Sequence, residues 1–461
     1  MGVSLEGTVR RVLAALARVK SALHLDDLPR HSEREVRISL LGKYCVDRAR
    51  IVFCTVSAVG SFLLSGPSNT SYRASAVIVD EAAQLVEAEL AIVLARWPDL
   101  RLLVLVGDPQ QLPSTVLSQG AKDRGYDRSA FERLQSCGRT PVLLDTQYRM
   151  HPAISSWPRV KFYESRVRDG PNVQGNSYDG VAKLLGLHWG PYLVLDVSAG
   201  REEREQYDDD SGEEPSSGPS RAGPSSGRRG SPGGGGRGGR RGGSTSWCNM
   251  HEAAVAAALV RQVVDAWGRL RAAGSGDGGG DADKGVAARM LLQPGRGLSI
   301  GVITPYRAQV EAITPRLGGL MSGRGSGAGV GGVSVAVRSV DGFQGQEKDV
   351  IVLSMVRANP FGAVGFTADP RRLNVAATRA RHGLVVLLHA ATMRKNPLWA
   401  SFLGDAQSRG LLLSADEQLC LHRAINSVAQ EARRRADLMT RDLWSNQPWK
   451  VRRSAGPLAV L

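Results

Sequence analysis

Two adjacent carboxylates, Asp80 and Glu81, close an aliphatic run in VIVDEAAQ at residues 77–84. After a buried strand in a nucleotide-hydrolysing fold, the first acid holds Mg²⁺ and the second orients or deprotonates the attacking water. A solvated turn also carries acids, so the pair alone decides nothing. VLVGDPQQLPS at 104–114 ends a second aliphatic run in Gly-Asp-Pro and two glutamines. A neutral amide there can sense a γ-phosphate or its attacking water without adding negative charge. The plain alternative is a turn built by Gly, Asp and Pro. Two such motifs, each after a strand, weigh against the plain readings.

The run LLDTQYRMHPAIS at 143–155 adds a cation and a ring. Arg149 is a candidate phosphate clamp, because a guanidinium matches phosphate oxygens two at a time. Tyr148 offers a flat face to a base, and Gln147 offers polar contacts. VRSVDGFQGQEKDVIVLSMVRAN (337–359) and RRLNVAATRARHG (371–383) follow. Arg379 is expected at a helix start between two strands, where an arginine finger would stand. Arg371, Arg372 and Arg381 suit either solvent or phosphate.

The elements that must position these groups are short apolar runs. They fall at 49–56, 75–81, 101–108, 140–145, 191–197, 298–306, 333–340, 349–356 and 383–390, with helical spacing at 85–97 and 251–270. Continuous apolar strands alternating with helices predict an α/β fold with parallel sheet covered on both faces. Polar residues gather just past the strand ends, where such sheets bind ligands.

The chain has 461 residues with 42% hydrophobic and 22% charged, enough for two cores. Its 54 Gly and 22 Pro imply a disordered or linker fraction, placed in insertions near 200–246, 274–285 and 318–332. The formal charge of +15 favours a polyanionic partner, nucleic acid before an anionic membrane. Five Cys in no paired spacing argue against a disulfide scaffold or a Cys-based zinc site. No apolar run reaches the roughly 18 residues that span a bilayer.

DEAAQ, GDPQQLP, QYRMHP, TPYRAQ, VDGFQGQEKDVIVLS and RRLNVAATRAR stand in the order of motifs II to VI of superfamily 1 helicases. The chain resembles the branch holding senataxin and the nonsense-mediated-decay helicase. That resemblance implies two RecA-like domains, the first incomplete. Residues 1–48 would be a helical remnant of an insertion, 49–139 the first domain, 140–390 the second, and 391–461 a separate helical tail. The implied cofactors are ATP and Mg²⁺, with Asp80 on the metal, Glu81 as base and Gln111 on the γ-phosphate. Tyr148 would stack on adenine and Arg149 would reach the γ-phosphate. Gly345 and Glu347 would lie by the nucleotide, with Glu347 on the ribose, and Arg379 would be the finger. Thr55, Thr304 and Ser339 would lie near a bound single strand, with RNA favoured, and unwinding would run 5′ to 3′. A monomeric motor in the nucleus is implied, with the cytoplasm as the alternative address.

One element of the pattern is missing. The sequence contains no G-x-x-x-x-G-K-[ST]; Gly42-Lys43 is followed by Tyr44. Such a loop cradles phosphates with backbone N–H groups and a Lys. Two expectations follow: a C-terminal portion of a longer helicase, or a non-hydrolysing nucleic-acid-binding scaffold. The first is favoured, because the acids and arginines have no use without a γ-phosphate. Residues 415–439 are expected to form an amphipathic helix that packs on the second domain or docks a protein partner.

Overall fold

The computed structural model describes residues 45–60, 72–174, 176–187, 189–207, 244–273, 291–293, 296–321 and 332–415. The expected insertion core at 208–243, the stretch at 274–285, residues 322–331 and the expected helix at 415–439 from residue 416 onward lie outside them. The chain divides into two compact units, residues 1–143 and 144–461.

In the first unit, β1 (Ala76–Val79) pairs in parallel with β2 (Leu102–Leu105), and Val77 faces Leu103 in register. Between them runs α2 (Glu87–Arg96), after the short α1 (Val56–Val59). Glu87 and Glu89 in the first turn of α2 and Arg96 in its last complement the helix dipole. Leu90 and Val93 bury its inner face against Val59, Val79, Ala82 and Trp97. Glu87 forms an ion pair with Arg133 on α3 (Ala130–Ser136), which starts with a Ser129–Glu132 capping box.

Two expected strands are corrected. Residues 49–55 form no strand; Thr55 Oγ1 accepts the Ala58 N–H and starts α1 instead, leaving Phe53 exposed. Residues 140–145 form no strand either. Pro141 lacks a ladder donor, and the pairing begins only at β3 (Thr146–Gln147), alongside β4 (Arg168–Asp169).

The second unit is built on six strands, all parallel. They are β5 (Tyr192–Asp196), β8 (Leu298–Thr304), β9 (Val333–Ser339), β10 (Lys348–Ser354), β11 (Ala380–Leu388) and β12 (Leu412–Ser414), in the spatial order β12-β5-β11-β10-β8-β9. The central strands β10 and β11 are buried almost throughout, as runs of Val, Leu and Ile covered on both faces must be. The cover comes from α6 (Met250–Ala273), which buries Ala256, Val260 and Trp267, and α7 (Arg307–Leu317), which buries Ile313 and Leu317. On α4 (Pro152–Tyr163), Trp157 meets Phe402 of α9 (Pro397–Ser408) edge-on at 4.9 Å.

The remaining elements are α5 (Asn176–Leu184), α8 (Pro370–Ala377) and an antiparallel hairpin of β6 (Glu203–Tyr207) and β7 (Ser244–Cys248). The hairpin corrects the insertion boundary, since residues 244–246 are paired strand. Residues 318–320 form a 3₁₀ turn rather than disorder. The separate tail beyond residue 391 is also corrected. Buried Trp399, Phe402 and Leu403 fasten α9 to the core, and β12 extends the sheet at its edge.

Candidate functional site

In the first unit, the residues after β1 and β2 hold each other. Ala82 N–H donates to Val106 O at 2.8 Å, and Val106 N–H donates to Val79 O at 2.8 Å. Glu81 sits in the left-handed region, at φ 54, which costs a non-glycine residue conformational energy. The turn is stabilised because Asp80 Oδ1 accepts the Glu81 N–H at 2.9 Å and Gln84 Nε2 donates to Glu81 Oε2 at 2.7 Å. Gly107 has no room for a side chain: a Cβ would stand 2.7 Å from Ala83 N. Asp108 organises the neighbouring loop, accepting Gln110 N–H at 2.9 Å and Gln111 Nε2 at 3.0 Å. Asp80 and Glu81 both remain exposed at the strand end.

In the second unit, a cavity of about 580 Å³ opens where β10 and β11 begin. Its wall carries Gln147, Tyr148, Arg149, Tyr178, Glu347 and Arg381, and Arg296 and His382 also line it. Arg149 and Arg381 both form ion pairs with the one Glu347 carboxylate. Burial pushes that carboxyl up, but the hydrogen bonds from Arg381 and Arg149 outweigh it and hold it below the ordinary glutamate value. Arg149 Nη1 also donates to Thr378 O at 3.3 Å. Tyr178 OH donates to Arg149 O at 2.6 Å, and burial raises that phenol to about 12. The wall thus presents two half-buried guanidiniums on one carboxylate, an arrangement suited to an anion of higher charge.

The expected roles are redistributed by this geometry. Gln147 offers no spare amide, since Oε1 accepts Arg149 N–H (3.0 Å) and Met150 N–H (2.8 Å). Its Nε2 donates to Met150 O (2.8 Å) and Asp169 Oδ1 (2.6 Å). All four hydrogen-bonding positions are used to fold the loop that carries Arg149. Tyr148 is 62% exposed, and its ring lies over Gly170, where a Cβ would come within 2.5 Å of Cδ1. Gly345 adopts φ 68 in the turn before Glu347, a conformation that favours glycine. Glu347 meets arginines in this structure.

Arg379 follows the end of α8 instead of starting a helix, because Thr378 caps that helix and β11 begins at Ala380. Its side chain is buried, donating to Val375 O at 3.0 Å and Gln346 O at 3.4 Å. Thr304 and Ser339 end β8 and β9 in register at the opposite, C-terminal edge of the sheet. Thr304 is fully buried, and its Oγ1 has no hydrogen-bond partner. Ser339 Oγ accepts Gly342 N–H at 3.2 Å. Thr55, in the first unit, is spent as the cap of α1.

Sequence reasoning left Arg381 undecided and passed over Tyr178, Arg296, Asp349 and His382. Asp349 is 2% exposed; its Oδ2 accepts Ser299 N–H at 2.8 Å and its Oδ1 accepts Arg296 Nη2 at 3.2 Å. A charged residue heading the apolar run of β10 was the available signal. Burial lowers His382 to about 4, against the opposing pull of Asp349. Among the described residues no group of three or more His, Cys, Asp or Glu could hold a metal ion, and no helix is long and apolar enough to cross a membrane.

One AAA-domain family model matches residues 126–391, more than half of the chain, and a second matches residues 17–119. The chain belongs to the superfamily 1 helicases of the senataxin and nonsense-mediated-decay branch. It is 31% identical over 393 residues to "Probable helicase MAGATAMA 3" of Arabidopsis thaliana, covering 85% of the chain and 39% of that protein. It is 30% identical over 378 residues to "ATP-dependent helicase NAM7" of Saccharomyces cerevisiae, covering 81% of the chain and 31% of that protein. It is 29% identical over 395 residues to "Probable helicase senataxin" of Homo sapiens, covering 82% and 12%. This helicase-branch chain therefore spans well under two thirds of the curated relatives it matches.

Proposed function

We propose that the chain carries the greater part of an ATP-dependent helicase motor acting on single-stranded nucleic acid, RNA before DNA. The motor is built on two RecA-like domains. The observation that supports this most is the cavity at the start of β10 and β11, where Arg149 and Arg381 share Glu347. Two guanidiniums on one carboxylate suit exchange with polyphosphate oxygens. Tyr148 supplies the exposed ring for the base. Arg379 supplies transition-state charge after leaving its backbone acceptors. Gln147 and Gly345 shape the loops around them.

In the first unit, Asp80 takes Mg²⁺, Glu81 takes the proton of the attacking water and Gln111 reports on the terminal phosphate. Asp80, exposed at the strand end, fits Mg²⁺, which keeps several waters and borrows phosphate oxygens. Mg²⁺ held by Asp80 would supply screening of the phosphate charge, and Glu81 and Gln111 orient the water. Thr304 and Ser339 mark the strand-binding edge. The branch points to the nucleus first and the cytoplasm second.

The test is nucleic-acid-stimulated ATP hydrolysis. In a full protein that carries a G-x-x-x-x-G-K-[ST] loop, Glu81→Gln should abolish turnover and leave binding of a fluorescent ATP analogue intact. Turnover that survives the change removes Glu81 from its role.

A further inference from the structure

The segment from Met355 to Asp369 leaves the C-terminal end of β10, away from the nucleotide cavity, and returns to α8. Asn359 folds its first turn. Asn359 Oδ1 accepts Phe361 N–H at 3.2 Å and Ala363 N–H at 2.9 Å, while Nδ2 donates to Ala363 O at 2.9 Å and Glu202 Oε2 at 3.0 Å. Thr392 Oγ1 accepts Asn359 N–H and donates to Asn359 O. Glu202 is itself fixed by a buried ion pair with Arg357, whose guanidinium lies 4.6 Å over the Trp247 ring. Gly362 takes φ 75, with the Lys395 stem where a Cβ would stand. An amide with all its hydrogen-bonding positions filled makes this turn stiff.

What the stiff turn presents is Phe361, 86% exposed. The same segment carries Phe366, 61% exposed, tilted against Tyr306 at 6.1 Å with the Arg372 guanidinium 5.5 Å over its ring. Arg372 is held there beside Asp341 at 3.6 Å, in the loop just after Ser339. Lys395 Nζ donates to Pro360 O next to Phe361. A cation therefore lies over the Phe366 ring, and another is bonded to the backbone beside Phe361. A protein-docking core is depleted of charge; a path for single strands combines cations for phosphates with rings on which bases stack.

We propose that Phe361 is a base-stacking residue for single-stranded nucleic acid, with Phe366 as a second ring on the same loop. The inference rests on the C-terminal sheet edge being the strand-binding edge.

The experiment is fluorescence anisotropy of a labelled oligouridine titrated with the full 461-residue chain at several salt concentrations. Phe361→Ala should weaken binding about fivefold or more. The slope of log K against log salt should not change, because no phosphate contact is lost. Phe361→Trp should keep or tighten binding, and the melting temperature of both variants should match wild type, since the ring is 86% exposed. Wild-type binding that Phe361→Ala leaves unchanged overturns the stacking role alone and makes the ring a protein-contact residue. A wild-type chain that binds no single strand overturns the stacking role together with the strand-binding reading.

Discussion

Arg149 and Glu347, 198 positions apart in the chain, meet in a hydrogen-bonded ion pair at the mouth of the second unit's cavity. The pair holds a guanidinium ready without burying it. Arg149→Ala should weaken binding of ATP by tenfold or more and leave ADP within about twofold, because the contact is assigned to the terminal phosphate; a charge-assisted hydrogen bond contributes roughly 1.5–3 kcal/mol. Arg149→Lys should not restore affinity, since a point charge cannot reproduce the planar fork. Displacement of a fluorescent nucleotide checks both statements.

Gln147 determines whether Arg149 is presented at all. Gln147→Ala removes the acceptor of the Arg149 and Met150 N–H groups and one donor to the Asp169 carboxylate, which keeps Ser155 and Arg159. Such losses cost about 1–3 kcal/mol each when buried. The expected result is a lower midpoint in urea unfolding together with weakened nucleotide binding. Gln147→Glu should do worse than Ala at neutral pH, because it sets a second carboxylate against Asp169.

These assignments show how much was legible beforehand. Aliphatic runs bounded by acids and glycines marked β1, β2, β5, β8, β9, β10 and β11; those of β5, β8, β10 and β11 are buried on both faces and have no polar alternation to obscure them, whereas Ile78 of β1 and Leu102 of β2 are exposed. The runs at 49–56 and 140–145 look the same in composition but form no strand. Thr55 and Pro141 redirect the backbone there, and pairing is a tertiary matter that a local pattern does not contain. Arg149 and Glu347 were readable from their motifs, but their mutual ion pair was not. It depends on Thr378, Tyr178 and the β3 loop meeting at one sheet edge. The work done by Gln147 was hidden for the same reason, since an amide's partners are set by the fold.

Gly107 is where the two first-unit motifs touch. A Cβ there would stand 2.7 Å from Ala83 N and 3.0 Å from Ala82 N, both backbone atoms that cannot rotate away. Gly107→Ala should therefore push the turn after Asp80 and destabilise the first unit by roughly 1–3 kcal/mol. Urea unfolding followed by the fluorescence of Trp97, buried in that unit's core, is the measurement. An unchanged midpoint would mean that the two loops separate freely.

Glu252 offers a test by pH. It is completely buried on α6, where its Oε2 accepts Ser354 Oγ–H at 2.7 Å and Val356 N–H at 2.9 Å. Val356 holds φ 71, unusual for a branched residue, so this carboxyl pins a strained step at the head of the segment carrying Phe361. Burial raises the carboxyl to about 7, although those hydrogen bonds pull the other way. An acid whose folded value lies above its unfolded one binds its proton more tightly when folded. Its contribution is full below the ordinary glutamate value, declines as pH rises towards 7, and is flat beyond. Glu252→Gln keeps an oxygen for Ser354 and Val356 and removes the titration. The melting temperature of the variant minus that of wild type should climb between pH 5 and pH 7, on the order of 2–5 °C, and then level off. A difference that stays constant across that range would show that Glu252 does not change its protonation on unfolding.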